Sequence, residues 1–371
     1  MKLELSFQQA GEKMKNNSLE KTFKDKKILV TGGTGSIGSE LVRKLLELDS
    51  DVIRVFSNDE NAQFDLEQEL RGHDNLRFLV GDVRDKERLK MAVEDIDIVF
   101  HAAALKHVPL CEYNPFEAIK TNVLGTQNLL EVAMDEEVEK VITISTDKAV
   151  NPVNVMGATK LLAERLTLAA NYYGGARRTV FSCVRFGNVL GSRGSVVRLF
   201  EKQIRKGGPI TVTSPDMMRF VMSMQRAVEL VLKAAEMTKG EEIFIFKMPA
   251  LRVGNLAEVM IEKLAPKYGY TPKSIKMKLI GKRKGEKLYE ELMTEDEAAN
   301  AYETEDMLIV LPRLPKKALK RISAKRLTSK DTKTLTNEEV EELLESILNQ
   351  RAHQRGSCAR ETAKFSYTAT C

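Results

Sequence analysis

Short apolar runs alternate with helical stretches through most of this chain. Lys27–Val30, Val52–Phe56, Leu76–Val80, Ile98–Phe100, Val141–Ile144 and Thr179–Arg185 are brief and rich in β-branched or aromatic residues. Such runs suit strands buried on both faces of a parallel sheet. Helical patterns follow to about Leu48 and over Pro115–Val132 and Lys160–Tyr173. Further on, helices are expected at Ser195–Lys206, Ala227–Met237 and Val253–Tyr268. Short strands are expected at Ile210–Thr213, Glu242–Lys247 and Lys276–Ile280. The alternation predicts an α/β fold built on a doubly wound parallel sheet. A smaller mixed α/β lobe, mainly residues 186–312, would sit over the mouth of that sheet. Thr336-Asn337-Glu338-Glu339 reads as a capping box, and Val340, Leu343, Leu344, Ile347 and Leu348 form an apolar helical stripe behind it. No internal repeat is present. The expected organisation is an N-terminal extension (1–25), a main domain (26–312), a basic linker with the C-terminal helix (313–350) and a disordered polar tail (351–371).

Composition narrows the class. The 371 residues are 43% hydrophobic and 30% charged, as in ordinary globular proteins. No apolar run reaches the ~20 residues needed to span a bilayer. Met1–Lys27 is polar and mixed in charge, unlike a secretory signal. The four cysteines (Cys111, Cys183, Cys358, Cys371) show no disulfide or metal-ligand spacing, which points to a reducing cytoplasm and no metal site. The net charge of +5 is smaller than the eight positive charges between Arg313 and Lys330, so the remainder of the chain is net acidic. No aromatic residue interleaves that basic run, and nucleic-acid binding is not expected.

Chemistry gathers at predicted strand ends. Thr31-Gly32-Gly33-Thr34-Gly35-Ser36-Ile37-Gly38 leaves the first strand and opens a helix. Gly32 suits the tight turn, Gly35 the approach of a pyrophosphate and Gly38 close helix packing, which predicts a dinucleotide site. The second strand ends in Ser57-Asn58, which excludes neither NAD nor NADP. Asp82, followed by Val83, is placed to meet an adenine ring, with Asp85 as a helix N-cap. Ala102, Ala103 and Ala104 allow backbone to lie along a dinucleotide. His101 reads as a packed strand-end residue, Lys106 faces the substrate side, and Asn122 is a buried helical amide near the cofactor. Ser145–Lys160 is the central stretch. Thr146, Asp147 and Lys148 follow the fifth strand, where an acid beside an amine can supply both halves of a proton transfer. The plainer alternative is an exposed polar turn. The Gly/Ser/Arg-rich loop from Phe186 to Ser195 can bind a second phosphate-bearing group through Asn188, and Arg219 can clamp a diphosphate or pair with Asp216.

These motifs, with His-Ala-Ala-Ala-Leu-Lys-His-Val-Pro, Ser-Thr-Asp-Lys-Ala, Val-Arg-Phe-Gly-Asn-Val-Leu-Gly-Ser-Arg-Gly and Arg-Lys-Gly-Glu-Lys-Leu, resemble those of the extended short-chain dehydrogenases/reductases. Within that group the chain is most similar to the UDP-N-acetylglucosamine 4,6-dehydratases of polysaccharide biosynthesis, from about Lys26 to Pro312. The resemblance implies a Rossmann-type fold, a tightly bound NAD or NADP regenerated in each cycle, a UDP-sugar substrate and a homo-oligomer. It implies oxidation at sugar carbon 4, removal of the carbon-5 proton by Lys148, and protonation of the departing 6-hydroxyl by Asp147. Lys160 would bind the nicotinamide ribose, and burial together with Lys160 would depress the Lys148 pKa against the pull of Asp147. Asn188, Arg219, Arg283 and Glu286 would face the UDP-sugar. Met156 stands where the superfamily carries a catalytic Tyr. A thioether cannot accept a proton, so carbon-4 deprotonation would pass to Asp147 or to a water on Thr146. A UDP-hexose 4-epimerase and a non-catalytic nucleotide-binding protein are the competing expectations.

Overall fold

The computed structural model describes residues 18–175, 178–312 and 326–349. Most of the basic run, the polar tail and Cys358 and Cys371 therefore lie outside the described residues.

Six parallel strands carry the nucleotide half: β1 (Lys27–Thr31), β2 (Val52–Ser57), β3 (Leu76–Val80), β4 (Ile98–His101), β5 (Lys140–Ile144) and β6 (Val180–Arg185). Their order across the sheet is β3-β2-β1-β4-β5-β6. The order in which strands are added across the sheet reverses between β1 and β4, and open α/β sheets bind ligands beyond the strand ends at such a crevice. The predicted Rossmann-type α/β fold is the fold observed.

The sheet continues further than the sequence pattern suggests. Ile243–Phe246, expected among the lobe strands, pairs parallel to β6. Met307–Val310 and Ala301–Glu303 then add antiparallel strands, giving nine in all. All four residues of Ile243–Phe246 are buried, which suits an interior strand. Helices Ser36–Leu46 and Met224–Met237 cover one face through Leu41, Val42, Leu45 and Val228. Helices Lys86–Val93 and Gly125–Asp135 cover the other through Leu89, Val93, Leu129 and Ala133.

The lobe has its own core, in which helices Val196–Ile204 and Val253–Leu264 bury Phe200, Leu256 and Met260. The C-terminal helix, residues 337–349, packs into this core through Val340, Leu344 and Ile347. Its predicted capping box is present: Glu339 N donates to Thr336 Oγ1 at 3.3 Å, and Thr336 N donates to Glu339 Oε2 at 2.9 Å. The described part of the N-terminal extension is also integral. Residues 18–23 form a helix whose Phe23 is fully buried, 6.1 Å from the Phe100 ring. Burying a Phe side chain is worth about 2–3 kcal/mol.

Two helices differ from expectation near the site. The helix expected from Lys160 begins at Val155, because the Asn154 side chain accepts the Gly157 N–H and caps it. Met156 therefore lies in its first turn. The expected helix over Pro115–Val132 is broken into Pro115–Ile119, a π-helical turn at Lys120–Leu124, and Gly125–Asp135. Such turns insert one residue and rotate the following face, often at functional sites.

Candidate active site

The turn after β1 is shaped for close approach. Gly32 has φ +64°, and a Cβ there would lie 2.7 Å from Ala103 N. A Cβ at Gly38 would lie 2.3 Å from Gly32 O, so the helix packs directly on the turn. That helix has no side-chain cap at Gly35 and no acid in its first turn. Its N-terminal N–H groups and positive dipole end are thus offered to an anion. These features fit a dinucleotide pyrophosphate. The Thr34 and Ser57 hydroxyls bond at 2.8 Å and brace the turn against β2. Ser36 Oγ accepts the Arg193 N–H at 2.9 Å, joining the turn to the lobe, while Ile37 packs against the main core.

The other expected cofactor residues divide into facing and supporting roles. Asn58 Nδ2 donates to Asp82 Oδ2 at 2.9 Å at the tips of β2 and β3. Val83 turns its side chain into the core against Gly125, leaving only its backbone toward the crevice. Ala102–Ala104 line the β4 end, half-buried. Asn122, expected near the cofactor, sits behind this loop. Its amide accepts from Leu105 N at 2.8 Å and donates to Leu105 O and Thr159 Oγ1, each at 3.0 Å. Asn122 holds the loop and offers no free group to a ligand. His101 is packed, as expected, between the Thr31 and Thr126 hydroxyls. Burial, reinforced by Lys160, pushes it down to about 3, so it is neutral.

At the end of β5, Ser145 N bonds Val184 O at 2.7 Å and Asp147 N bonds Phe186 O at 3.0 Å. These bonds fix the following turn against β6, which excludes the exposed polar turn. Asp147 is fully buried, and its Oδ1 accepts from Thr146 Oγ1 at 2.8 Å and from Lys148 Nζ at 2.9 Å. Its Oδ2 has no partner among the described residues. Burial lowers the Lys148 pKa, but the carboxylates of Asp147 and Glu290 outweigh it and hold Lys148 above the ordinary lysine value. The expected depression of Lys148 is therefore absent, because a second carboxylate joins the first. Lys160 shows the depression instead: burial pushes it down to about 8. Met156 packs with Cys111 and Ala118, and its thioether cannot accept a proton.

Glu290 is the residue that sequence reasoning missed. It is 2% exposed, its Oε1 lies 3.6 Å from Lys148 Nζ and 3.8 Å from Arg219 Nε, and its Oε2 has no partner among the described residues. Its N–H donates to Ser329 Oγ at 2.9 Å, and that hydroxyl donates to Met218 O at 3.2 Å. Strand Glu291–Met293 pairs with Leu327–Thr328, which brings Ser329 there. The available signal was Glu290-Glu291 closely following the Arg-Lys-Gly-Glu-Lys-Leu motif.

The expected substrate residues surround this point unevenly. Arg219 does not pair with Asp216, which bonds Arg252; its guanidinium donates to the carbonyls of Met218 and Lys287 at 2.8 and 2.9 Å. Asn188 is half-buried, and its Oδ1 has no partner among the described residues. Glu286 accepts the Arg283 N–H at 3.0 Å, so the pair shapes its own loop. Asn154 Nδ2 bonds Gly285 O at 2.8 Å and Lys287 Nζ bonds Val150 O at 2.7 Å, which holds that loop over the mouth. Burial, together with Arg198 and Arg193, lowers the Lys106 pKa, marking a basic rim suited to phosphate. Among the described residues no cluster could hold a metal ion, and no helix is long and apolar enough to cross a membrane.

Residues 28–312 match the family model described as polysaccharide biosynthesis protein. The chain belongs to this family. Relatives in it have diverse names. An uncharacterised membrane protein of Methanocaldococcus jannaschii is 62% identical over 88% of this chain and 97% of its own length. A UDP-N-acetylglucosamine 4,6-dehydratase (inverting) of Campylobacter jejuni is 44% identical over 78% of this chain and 84% of its own. A UDP-glucose 4-epimerase of Rickettsia canadensis is 41% identical over 87% and 96%. The solved structure of Pen from Bacillus thuringiensis aligns with TM-score 0.84 at 47% identity, covering 89% of this chain and 98% of that one. Relatives of this chain thus include proteins named as UDP-sugar dehydratases and epimerases, and its fold is the Rossmann-type one described above.

Proposed function

We propose that this chain is a nucleotide-sugar 4,6-dehydratase that converts UDP-N-acetylglucosamine to a UDP-4-keto-6-deoxy-N-acetylhexosamine. The observation that carries the reading is the Asp147–Lys148 pair, 2.9 Å apart beyond β5, with Asp147 fully buried and Lys148 half-buried. A bound NAD(P), held by the Gly32–Gly38 turn, supplies reversible hydride storage. Epimerisation at carbon 4 needs nothing more than that and a carbon-4 base. Dehydration also needs a base for the carbon-5 proton and an acid for the 6-hydroxyl, and the pair provides both.

The carboxylates of Asp147 and Glu290, which raise the Lys148 pKa, favour its ammonium form before substrate binds. When the sugar excludes water, a low dielectric disfavours two buried charges relative to a neutral hydrogen-bonded pair. Transfer of the proton across the existing bond then gives a neutral amine at Lys148 and a carboxylic acid at Asp147. Lys148 takes the carbon-5 proton and Asp147 protonates the leaving hydroxyl. Arg219, Asn188 and the Lys106 rim orient the UDP-sugar, and Lys160 anchors the nicotinamide ribose. A homo-oligomer belongs to the same proposal. It is supported by Leu110, Tyr113, Phe116 and Leu162, exposed on adjacent helices.

The test is incubation of the purified chain with UDP-N-acetylglucosamine in deuterated water, read by mass spectrometry and proton NMR. The expected product has lost one water and carries deuterium at carbon 5, and Asp147→Asn and Lys148→Ala abolish it. An isobaric sugar product would establish the epimerase instead.

A further inference from the structure

We infer that the cofactor site selects NAD over NADP, with Asn58, Asp82 and Arg84 as the selecting group. The inference rests on the dinucleotide reading of the Gly32–Gly38 turn and is independent of which sugar reaction follows.

The tip of the second strand meets the adenosine ribose in this fold, and NADP recognition there requires a cation for the added 2′-phosphate. That phosphate brings nearly two negative charges. Past β2 the chain presents Ser57, whose hydroxyl is spent on Thr34, then Asn58, Asp59 and Glu60. Asp59 caps the next helix through Ala62 N, so this helix start already holds a carboxylate. Arg54 turns away and donates to the carbonyls of Ala92 and Glu94.

Arg84 is the cation bonded into this group, and it is already committed. Its Nε and Nη2 hold the two oxygens of Asp82 at 2.9 and 2.8 Å, and its Nη1 holds Glu117 Oε2 at 2.6 Å. The Asp82 carboxyl is held below the usual carboxylate range, first by Arg84. Arg88 lies back along its own helix, with Nε on Val80 O at 2.9 Å and Nη1 toward Met91 Sδ at 4.0 Å. A 2′-phosphate would thus face carboxylates and a guanidinium already held by Asp82 and by Glu117, which Lys120 also pairs at 3.0 Å. A 2′-hydroxyl suits the same place, since it can donate to Asn58 Oδ1 or to Asp82.

The full chain is equilibrated with equal concentrations of NAD+ and NADP+ and freed of excess by gel filtration. Nucleotides released on denaturation are then quantified by mass spectrometry. NAD is expected in roughly tenfold excess or more, the size of one unopposed like-charge contact near a protein surface. Asn58→Arg, at an exposed loop position, is expected to shift the ratio toward NADP by a similar factor. Equal retention or an NADP excess overturns the selection. A ratio unmoved by Asn58→Arg overturns the placement of Asn58 at the ribose. Release of neither nucleotide would overturn the dinucleotide site itself, whatever the sugar assay shows.

Discussion

Arg185 is fully buried, and all five of its N–H groups are used. Nε and Nη2 reach the two oxygens of Glu164 at 3.0 and 2.6 Å, Nη1 and Nη2 reach Glu297 at 2.9 and 3.0 Å, and Nη1 also bonds Leu292 O at 3.0 Å. The network ties β6 to the helix that carries Met156 and Lys160, and to helix Glu295–Ala299. Arg185→Met leaves two carboxylates in the interior without a cation. Breaking a buried pair from one side costs about 3–5 kcal/mol, a large part of a typical 5–15 kcal/mol stability. Burial raises the Glu297 pKa, but Arg185 outweighs it and the net value is lowered. The stabilisation from this pair is therefore present above the unfolded Glu value of ~4.3 and is lost as pH falls through the lower folded value. In the variant, burial acts on Glu297 without Arg185. The deficit should be largest at neutral pH and shrink toward pH 4. Urea unfolding at pH 5 and pH 8 measures it. Arg185→Lys, which keeps the charge but loses the planar fork, should cost less and serves if the Met variant does not fold. A Met-variant deficit under ~1 kcal/mol at pH 8, or one that grows on acidification, would refute the reasoning.

Glu290→Gln removes one of the two carboxylates that raise Lys148. At 3.6 Å that interaction is at least about 1 kcal/mol even in a water-like dielectric, so the falling limb of the kcat–pH profile, where the pair loses its shared proton, should move down by about one unit or more; an unmoved profile would show that Glu290 only packs. Gly38→Ala forces a methyl to within 2.3 Å of Gly32 O, and overpacking of this kind costs ~1–3 kcal/mol. Dinucleotide retention should drop more than thermal stability, and full retention would contradict the tight-turn reading. Leu344→Ala, at 3% exposure in the lobe core, should cost ~2–5 kcal/mol in urea unfolding. A loss under ~1 kcal/mol would mean that helix 337–349 contributes little to that core.

The parallel strands were legible because each is a local apolar run, and the Gly32–Gly38 turn because its glycines serve neighbouring backbone. Asp147 and Lys148 were legible for the same reason: strand, turn and chemistry are contiguous. What was not legible is non-local. Nothing near Glu290 announces that Leu327–Thr328 will pair beside it, nor that the antiparallel strands will extend the sheet past β6. The stripe from Val340 to Leu348 identified a helix but not its partner. The π-helical turn at Lys120–Leu124 hides because one inserted residue barely disturbs an apolar period, although it sits at Asn122. The Lys148 environment is not legible locally, because the second carboxylate that raises it, Glu290, comes from a distant part of the chain.

The Ser329 bridge to Glu290 and Met218 gives the molecule an order of assembly. The glycines of the pyrophosphate turn and the strand ends around it lie within the first six strands. The neighbourhood of Lys148 is completed only when residues 327–329 fold back across it. The wall beside Lys148 joins residues far apart in the chain, Ser329 and Met218 being 111 positions apart, so it forms only with the tertiary structure as a whole, whereas the glycine turn is built from neighbours.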